Sequence, residues 1–406
     1  MRNAHGSQGP LSGIRVTDFT WAWAGPQGTL LLGMLGAEVI KIESHARLDH
    51  ARVHSLTAGA VRGDVDESPL FNDLNLGKLS ITLDLRKEEA RDIARRLVAG
   101  SDVVSQNMRP GVLDRLGLGY QDLRKVKPDI IMLSSSAVGA TGPEGSYAGY
   151  APTFACMSGA VEITGYPDQP PSPLSGAVDL RVGTTAAFAV LAALHHRQRS
   201  GEGQHIDLSS TEVMSSMIGE AFLEYSACGH VPERSGNRDG AMAPHNCYRC
   251  KGEEQWITIA VGTEAEWSAL RSVLADPELE DDAFAGPLER WQNQERLDEV
   301  VERWTREREP REAMEILQRA GVAAMVVHTG ISIGGDPHVR ERGVFEKVLH
   351  PRIGEKEVVR PPWRLEGVRT HRSAPLIGEH TEYILEEILG LARDEIDRLA
   401  EAGVLN

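Results

Sequence analysis

Gly13-Ile14-Arg15-Val16-Thr17-Asp18-Phe19-Thr20-Trp21-Ala22-Trp23-Ala24-Gly25-Pro26-Gln27-Gly28-Thr29-Leu30-Leu31-Leu32-Gly33-Met34-Leu35-Gly36-Ala37-Glu38-Val39-Ile40-Lys41-Ile42 holds one complete strand–helix–strand unit. Residues 14–19 read as a buried strand. Gly25-Pro26 opens a helix that runs through Leu35, and Gly36 closes it as a C-terminal cap. Residues 37–42 are the next strand. The same alternation continues: strands at 79–83, 102–105 and 129–134, and an amphipathic helix at 87–98 with Ala90, Ile93, Ala94 and Leu97 on one face. Repeated units of this kind predict an α/β fold with a large, doubly wound, Rossmann-like parallel sheet.

Further along, residues 182–198 form a helix of small apolar residues, and 204–208 a strand. Ser209-Ser210-Thr211-Glu212 is a capping box that starts a long helix to about Ala227. The composition then turns to Gly, Arg, Asn and Pro over 229–243, which reads as a linker or active-site loop. A strand at 256–261 follows. Thr263-Glu264-Ala265-Glu266 is a second capping box, opening a helix through Leu274. Helices at 293–304 and 311–320 and a strand at 323–327 complete a smaller α/β domain. The expected division is a large domain at 1–228, a small one at 229–330, and a segment at 331–406 that returns to the large domain. That last segment ends in helices at 379–390 and 393–402.

The chain has 406 residues, 41% hydrophobic and 25% charged, with a formal net charge of −16. An acidic balance of this size argues against nucleic-acid or anionic-membrane partners, while leaving room for a local basic patch that binds a small anion. No apolar run reaches membrane-spanning length, and residues 1–10 are too polar for a signal peptide. Four cysteines in a chain of this length fit a reducing cytoplasm. Cys247-Tyr248-Arg249-Cys250 has the spacing of a redox or zinc motif. It lacks a second cysteine pair and runs into a turn before a strand, so the reading is structural thiols and no metal.

Asp179 has a setting no other acid in the chain shares. It lies in Gly176-Ala177-Val178-Asp179-Leu180-Arg181-Val182-Gly183, between glycines and at the start of an apolar helix. A carboxylate there is either a helix cap or a nucleophile toward an activated acyl group. Nucleophilic chemistry through an anhydride requires a dry site, with backbone amides near Gly183 or in a facing loop to hold the oxyanion.

The order of short motifs decides between these. Pro10-Leu11-Ser12-Gly13-Ile14-Arg15-Val16, Ala24-Gly25-Pro26, Leu35-Gly36-Ala37-Glu38-Val39-Ile40-Lys41-Ile42-Glu43, Asn75-Leu76-Gly77-Lys78-Leu79-Ser80, Asn107-Met108-Arg109-Pro110-Gly111, Gly201-Glu202-Gly203-Gln204-His205-Ile206-Asp207 and Ala374-Pro375-Leu376-Ile377-Gly378-Glu379-His380-Thr381 follow one another nearly end to end. In this order the chain resembles the family III CoA-transferases, the group of formyl-CoA, carnitine and benzylsuccinate CoA-transferases.

The resemblance implies transfer of coenzyme A from an acyl-CoA, with succinyl-CoA the expected donor, to an organic carboxylic acid. Asp179 matches the family nucleophile, which passes through an aspartyl anhydride and an enzyme–CoA thioester. It also implies a homodimer of interlocked rings, with a related second subunit as the other possible assembly. CoA contacts fall on Trp23, Ala24, Leu83, Asp84, Leu85, Arg86, Asn107, Met108, Arg109, Arg115, Ser135, Ser136, Ala137 and Val138. Arg86, Arg109 and Arg115 suit phosphate, since guanidinium binds its oxygens in bidentate fashion.

Some positions depart from formyl-CoA transferase. Ser44 and Ser136 stand where that enzyme has basic residues, with His45 or Arg47 as replacements. Trp23 stands at its oxalate-binding glutamine. Ala241-Met242-Ala243-Pro244-His245-Asn246 replaces its glycine-rich loop, and His245 there is either a hydrogen-bond donor to the acceptor carboxylate or a packed loop histidine. Trp21, Trp23, Tyr147, Tyr150 and Phe154 suggest an apolar or aromatic acid, or else core packing. Two other functions remain. The α-methylacyl-CoA racemases pair the aspartate with a histidine in Gly-His-Asp, where this chain has Gly149-Tyr150-Ala151, and tyrosine is a poor base near neutrality. A non-catalytic CoA-binding subunit is the other.

Overall fold

The structure is a computed structural model, which describes residues 9–53, 64–174, 176–365, 368 and 372–406. The described chain divides into two compact units. One comprises Met1–Val161, Pro173–Val231 and Arg342–Asn406; the other comprises Glu162–Ser172 and Pro232–Glu341.

The first unit is built on six parallel strands: β1 (Arg15–Asp18), β2 (Glu38–Glu43), β3 (Leu79–Thr82), β4 (Val103–Gln106), β5 (Ile131–Ser136) and β6 (His205–Ser209). Their order is β3-β2-β1-β4-β5-β6, the doubly wound order in which chain direction switches between β1 and β4. Thr17 at the centre of β1 pairs with Ile40 on one side and Val104 on the other. The central strands are buried on both faces, so they read as nearly continuous apolar runs. Alternate side chains supply two cores. Ile40, Ile42, Ile81, Leu83 and Val104 pack with Ile93 and Leu97 of the helix Glu88–Ala99. On the other face, Val16, Val39, Val103 and Ile131 pack with Leu31 and Leu32 of the first helix, Ala24–Met34, and with Ala186 and Val190 of a long helix, Ala177–Ser200.

The long helix is apolar and long enough to cross a membrane by length and composition. This corrects the expectation that no apolar run is that long: Asp179 and Arg181 break the run in the sequence but not in the helix. The same composition suits a core helix, and Val178, Val182, Gly183, Ala186, Ala187, Val190 and Ala193 are buried in the unit. The two helices approach closely. A Cβ on Gly183 would lie 2.7 Å from the carbonyl oxygen of Ala24, and one on Gly28 would lie 3.1 Å from the carbonyl oxygen of Gly183. Glycine is therefore required at this crossing.

The Arg342–Asn406 segment returns to the same sheet. The backbone of His380 donates to the Ser80 carbonyl at 2.9 Å, Gly378 N–H donates to Ser80 Oγ at 2.9 Å, and Ile384, Leu385, Ile396 and Leu399 join the first core. The helix expected over 379–390 is a short α-turn, Thr381–Tyr383, running into a π-helical turn, Ile384–Ile388. The capping box at Ser209 forms, its Oγ accepting from Glu212 N–H at 3.2 Å. The helix it starts does not run unbroken to Ala227: a 3-10 turn at Ser216–Ile218 separates Ser210–Ser215 from Gly219–Cys228. A hairpin, β10 (Phe345–His350) with β11 (Gly354–Val359), has no counterpart in the sequence reading, because Gly354-Glu355-Lys356-Glu357-Val358-Val359 shows no alternation.

The second unit holds an antiparallel sheet of β7 (His245–Arg249), β8 (Trp256–Ala260) and β9 (Ala323–Val326) in that order. Helices Glu264–Leu274, Gln294–Arg306 and Pro310–Arg319 cover one face with Trp267, Leu270, Leu297, Val301 and Leu317. The Thr263–Glu266 capping box is formed in both directions. Cys247 and Cys250 are free thiols, and burial raises the pKa of both, that of Cys250 to about 11. Among the described residues no group of His, Cys, Asp and Glu is arranged to hold a metal ion.

Candidate active site

In a doubly wound sheet, ligands bind outside the carboxyl ends of the strands at the switch point. A cleft of about 330 Å³ lies there. Its lining comes from the segments that follow β1 (Phe19, Trp21), β2 (Ser44, Arg47), β3 (Leu83, Asp84, Leu85, Arg86) and β4 (Met108, Val112, Leu116). Most of its wall is apolar; Arg47 and Arg86 are exposed, whereas Lys41, Glu43 and Asp49 line it as buried charges. Leu83, Asp84, Leu85, Arg86 and Met108 were expected from the sequence. Phe19, Val112 and Leu116 were not placed there, although each follows the end of a strand, and that position was the available signal. Arg47, considered as a replacement for the missing basic residues, lines the cleft with its guanidinium 4.5 Å from the centre of the Trp21 ring.

The remaining expected contacts separate by what they touch. Arg86 is exposed but already bound: its guanidinium grips Asp84 in bidentate fashion at 2.8 Å and 2.8 Å, and this holds the Asp84 carboxyl below its usual range. Arg109 and Arg115 are exposed and outside the cleft lining. Asn107 is a clamp rather than a free contact. Its Oδ1 accepts from Trp21 N–H and its Nδ2 donates to the Trp21 carbonyl, each at 2.8 Å. Ser135, Ser136, Ala137 and Val138 lie at and beyond the end of β5, outside the lining, and Thr211 caps the Ala137 carbonyl.

The loop after β1 connects the cleft to Asp179. Thr20 is held by Asp18, Trp21 by Asn107, and Ala22 by Asp49 Oδ1 at 2.9 Å. Ala22 adopts φ +62°, a left-handed conformation uncommon for a residue with a side chain. The loop then enters the first helix at Trp23 and Ala24. Trp23 packs near Gly176, where a methyl group in place of the hydrogen would sit 3.8 Å from the indole. Ala24 hydrogen-bonds the Asp179 carboxylate through its backbone. Asp179 is thus in the first turn of the long helix, half-buried, facing the first helix across the Gly28–Gly183 crossing. Burial pushes its carboxyl up to about 6, and the bond from Ala24 offsets part of that rise. Gly183, one helical turn on, cannot serve as an oxyanion donor: inside the helix its N–H is directed to the carbonyl of residue 179. The backbone group that does reach the Asp179 carboxylate is that of Ala24, in the facing segment.

The aromatic residues divide. Trp21 meets His50 edge-on, ring centres 6.1 Å apart, and His50 stacks on Tyr150 at 6.2 Å and 27°. Tyr150 and Tyr147 are exposed, while Phe154 is buried in a core with Val178 and Val182. Phe154 is therefore a packing residue, and His50 is a member of the aromatic group that the sequence reading missed. His245 belongs to the second unit, where its Nδ1 lies 2.6 Å from the Asn237 carbonyl oxygen.

A doubly wound parallel sheet with an apolar cleft at its switch point defines a ligand-binding α/β protein of the nucleotide-binding type. The comparisons with known proteins are more specific. The family described as CoA-transferase family III matches residues 11–381. The chain is 32% identical over 400 residues, 98% of each protein, to the succinyl-CoA–D-citramalate CoA-transferase of Chloroflexus aurantiacus. It is 35% identical to the acetyl-CoA:oxalate CoA-transferase of Acetobacter aceti, covering 78% of this chain and 80% of that one. A solved CAIB/BAIF family protein from Brucella suis superposes with a TM-score of 0.85 at 31% identity, over 94% of this chain and 99% of the other. The chain belongs to CoA-transferase family III.

Proposed function

We propose that this transferase moves coenzyme A from succinyl-CoA to an organic carboxylic acid, with Asp179 as the nucleophile. One observation carries the reading: a desolvated carboxylate at a helix N-terminus, hydrogen-bonded by the backbone of the loop that also walls the cleft. With a pKa of about 6 it is still mostly ionised at neutral pH, yet more basic than an ordinary aspartate, and so a better nucleophile. An Asp179 oxygen attacks the thioester carbonyl, the C–S bond breaks, and CoA thiolate leaves a mixed anhydride. The thiolate attacks the Asp179 carbonyl carbon, releases succinate and forms an enzyme–CoA thioester. The acceptor carboxylate then attacks that thioester, and thiolate attack on the acceptor's acyl carbon returns Asp179 as a free carboxylate. No proton is gained or lost over the cycle. The Ala24 backbone stabilises the oxyanions on Asp179.

Relatives named as succinyl-CoA–D-citramalate, succinyl-CoA:glutarate and succinyl-CoA:mesaconate transferases support the donor. Trp21, His50 and Tyr150 form an aromatic wall suited to an acceptor with an apolar or aromatic body. The exposed side of the long helix (Leu180, Phe188) and the wholly unburied Gly219–Cys228 helix (Phe222, Leu223, Tyr225) leave a large apolar face for a second copy of the chain. The deciding test is to mix the protein with succinyl-CoA and hydroxylamine and weigh it intact. A hydroxamate at Asp179 supports the reading; transfer by an Asp179→Ala variant defeats it.

A further inference from the structure

Beneath the loop after β1 lie four buried charges to which the proposed reaction assigns no role, two of which, Lys41 and Asp49, also line the cleft. Asp18, Lys41, Asp49 and Lys78 are each less than a tenth exposed. Lys41 Nζ pairs with Asp49 at 2.9 Å and donates to the Thr20 carbonyl at 2.7 Å. Lys78 Nζ shares its three protons among four oxygens: Asp18 Oδ2 at 3.2 Å, the Pro26 carbonyl at 3.1 Å, Thr29 Oγ1 at 2.8 Å and Asn75 Oδ1 at 2.9 Å. Thr29 passes its own proton to Asp18 Oδ2 at 2.7 Å. Asp18 Oδ1 in turn accepts from both the amide (2.8 Å) and the hydroxyl (2.6 Å) of Thr20. The network grips the chain on both sides of Ala24, at Thr20 before it and at Pro26 and Thr29 after it. A buried ion pair adds little net stability over apolar residues of the same size, and conformational specificity is one role such pairs serve.

We propose that Lys78 is a positioning residue for the reaction: acting through Asp18, Thr29 and the Pro26 carbonyl, it holds the Ala24 backbone at hydrogen-bonding distance from Asp179. The inference rests on Asp179 being the nucleophile. Lys78 and Thr29 line no part of the cleft, so their replacement is expected to act on the rate more than on acyl-CoA affinity. The Ala24 carbonyl is wedged against Gly183, one turn beyond Asp179, so a small shift of the first helix moves the donor directly against the acceptor.

The test compares Thr29→Val, which removes the hydroxyl linking Lys78 to Asp18, with Thr29→Ser, which keeps it, and adds Lys78→Met. Rapid mixing with succinyl-CoA and hydroxylamine measures both the rate and the amplitude of Asp179 adduct formation. Thr29→Val is expected to slow the rate by about tenfold to a hundredfold, as a misplaced reacting group does, with full amplitude and an unchanged KM for succinyl-CoA. Thr29→Ser is expected to restore the wild-type rate. Lys78→Met is expected to be slower still, and if it does not fold the threonine pair decides alone. A lowered amplitude at the wild-type rate would mean that the network only supports folding, and would overturn the proposal; so would a Thr29→Val enzyme as fast as wild type. A wild-type enzyme that forms no adduct at Asp179 would instead defeat the nucleophile assignment on which this inference stands.

Discussion

Replacing Asp179 by asparagine is expected to abolish transfer and make the protein more stable. The carboxyl is held at about 6 against an ordinary value of 3.8, chiefly because burial penalises the charged form. The folded state therefore binds the proton more tightly than the unfolded state, and ionisation costs stability. The cost is absent below the unfolded value, grows as pH rises through the interval, and is complete above about 6. At about 1.4 kcal/mol per pKa unit, the wild type gives up about 3 kcal/mol at pH 7.5 and about 1 kcal/mol at pH 4.5. Asparagine has nearly the same shape and keeps an oxygen for the Ala24 amide, so it recovers that difference. Urea unfolding of both proteins at the two pH values measures it directly. The variant should be more stable by a margin on the order of 1–3 kcal/mol at pH 7.5, narrowing at pH 4.5. An asparagine protein that is no more stable than wild type at pH 7.5, or whose advantage grows in acid, would refute the desolvation argument.

Transfer rate should fall below pH 6 with unit slope as Asp179 takes up its proton, because the ionised form is the nucleophile; a profile flat to pH 5 would contradict this. Asn107→Ala removes both hydrogen bonds that clamp Trp21, at about 1 kcal/mol net each, and should raise the KM for acyl-CoA by roughly tenfold or more, read from initial rates. Gly183→Ala places a methyl 2.7 Å from the Ala24 carbonyl oxygen; helix separation should cost about 1–3 kcal/mol in unfolding free energy and slow transfer severely. Arg47→Ala should weaken acyl-CoA binding while leaving the unfolding midpoint within error, since Arg47 is exposed at the cleft rim.

The sheet was legible because parallel strands buried on both faces leave unbroken apolar runs, and residues 14–42 contain two of them around a helix that closes with Gly36. That Asp179 lies near the start of a long apolar helix was equally plain, although the helix begins at Ala177 and not at Val182, which puts the carboxylate inside its first turn. Which residues line the cleft was harder to read. Asn107 has the right chemistry for a ligand but clasps the Trp21 backbone, and Arg86, which does line the cleft, is already paired with Asp84; only the folded chain reveals such prior engagements. His50 stayed hidden because its partners, Trp21 and Tyr150, are 29 and 100 residues away. Gly183 was noticed for its amide, whereas its role is the hydrogen atom in place of a side chain. The motif Asn75-Leu76-Gly77-Lys78 signalled the family without revealing why its lysine is there.

The way the chain returns to its first sheet bears on its synthesis. Glu162–Ser172 and Pro232–Glu341 can assemble as soon as residue 341 has left the ribosome. The earlier sheet must wait, since Ile384, Leu385, Ile396 and Leu399 still belong to its core and Ser80 still lacks its partners at Gly378 and His380. Until those last sixty-five residues (342–406) emerge, β3 offers an open edge and an uncovered apolar surface to the cell. Chains truncated before residue 374 are therefore expected to be prone to aggregation, as exposed strand edges and apolar surface generally are.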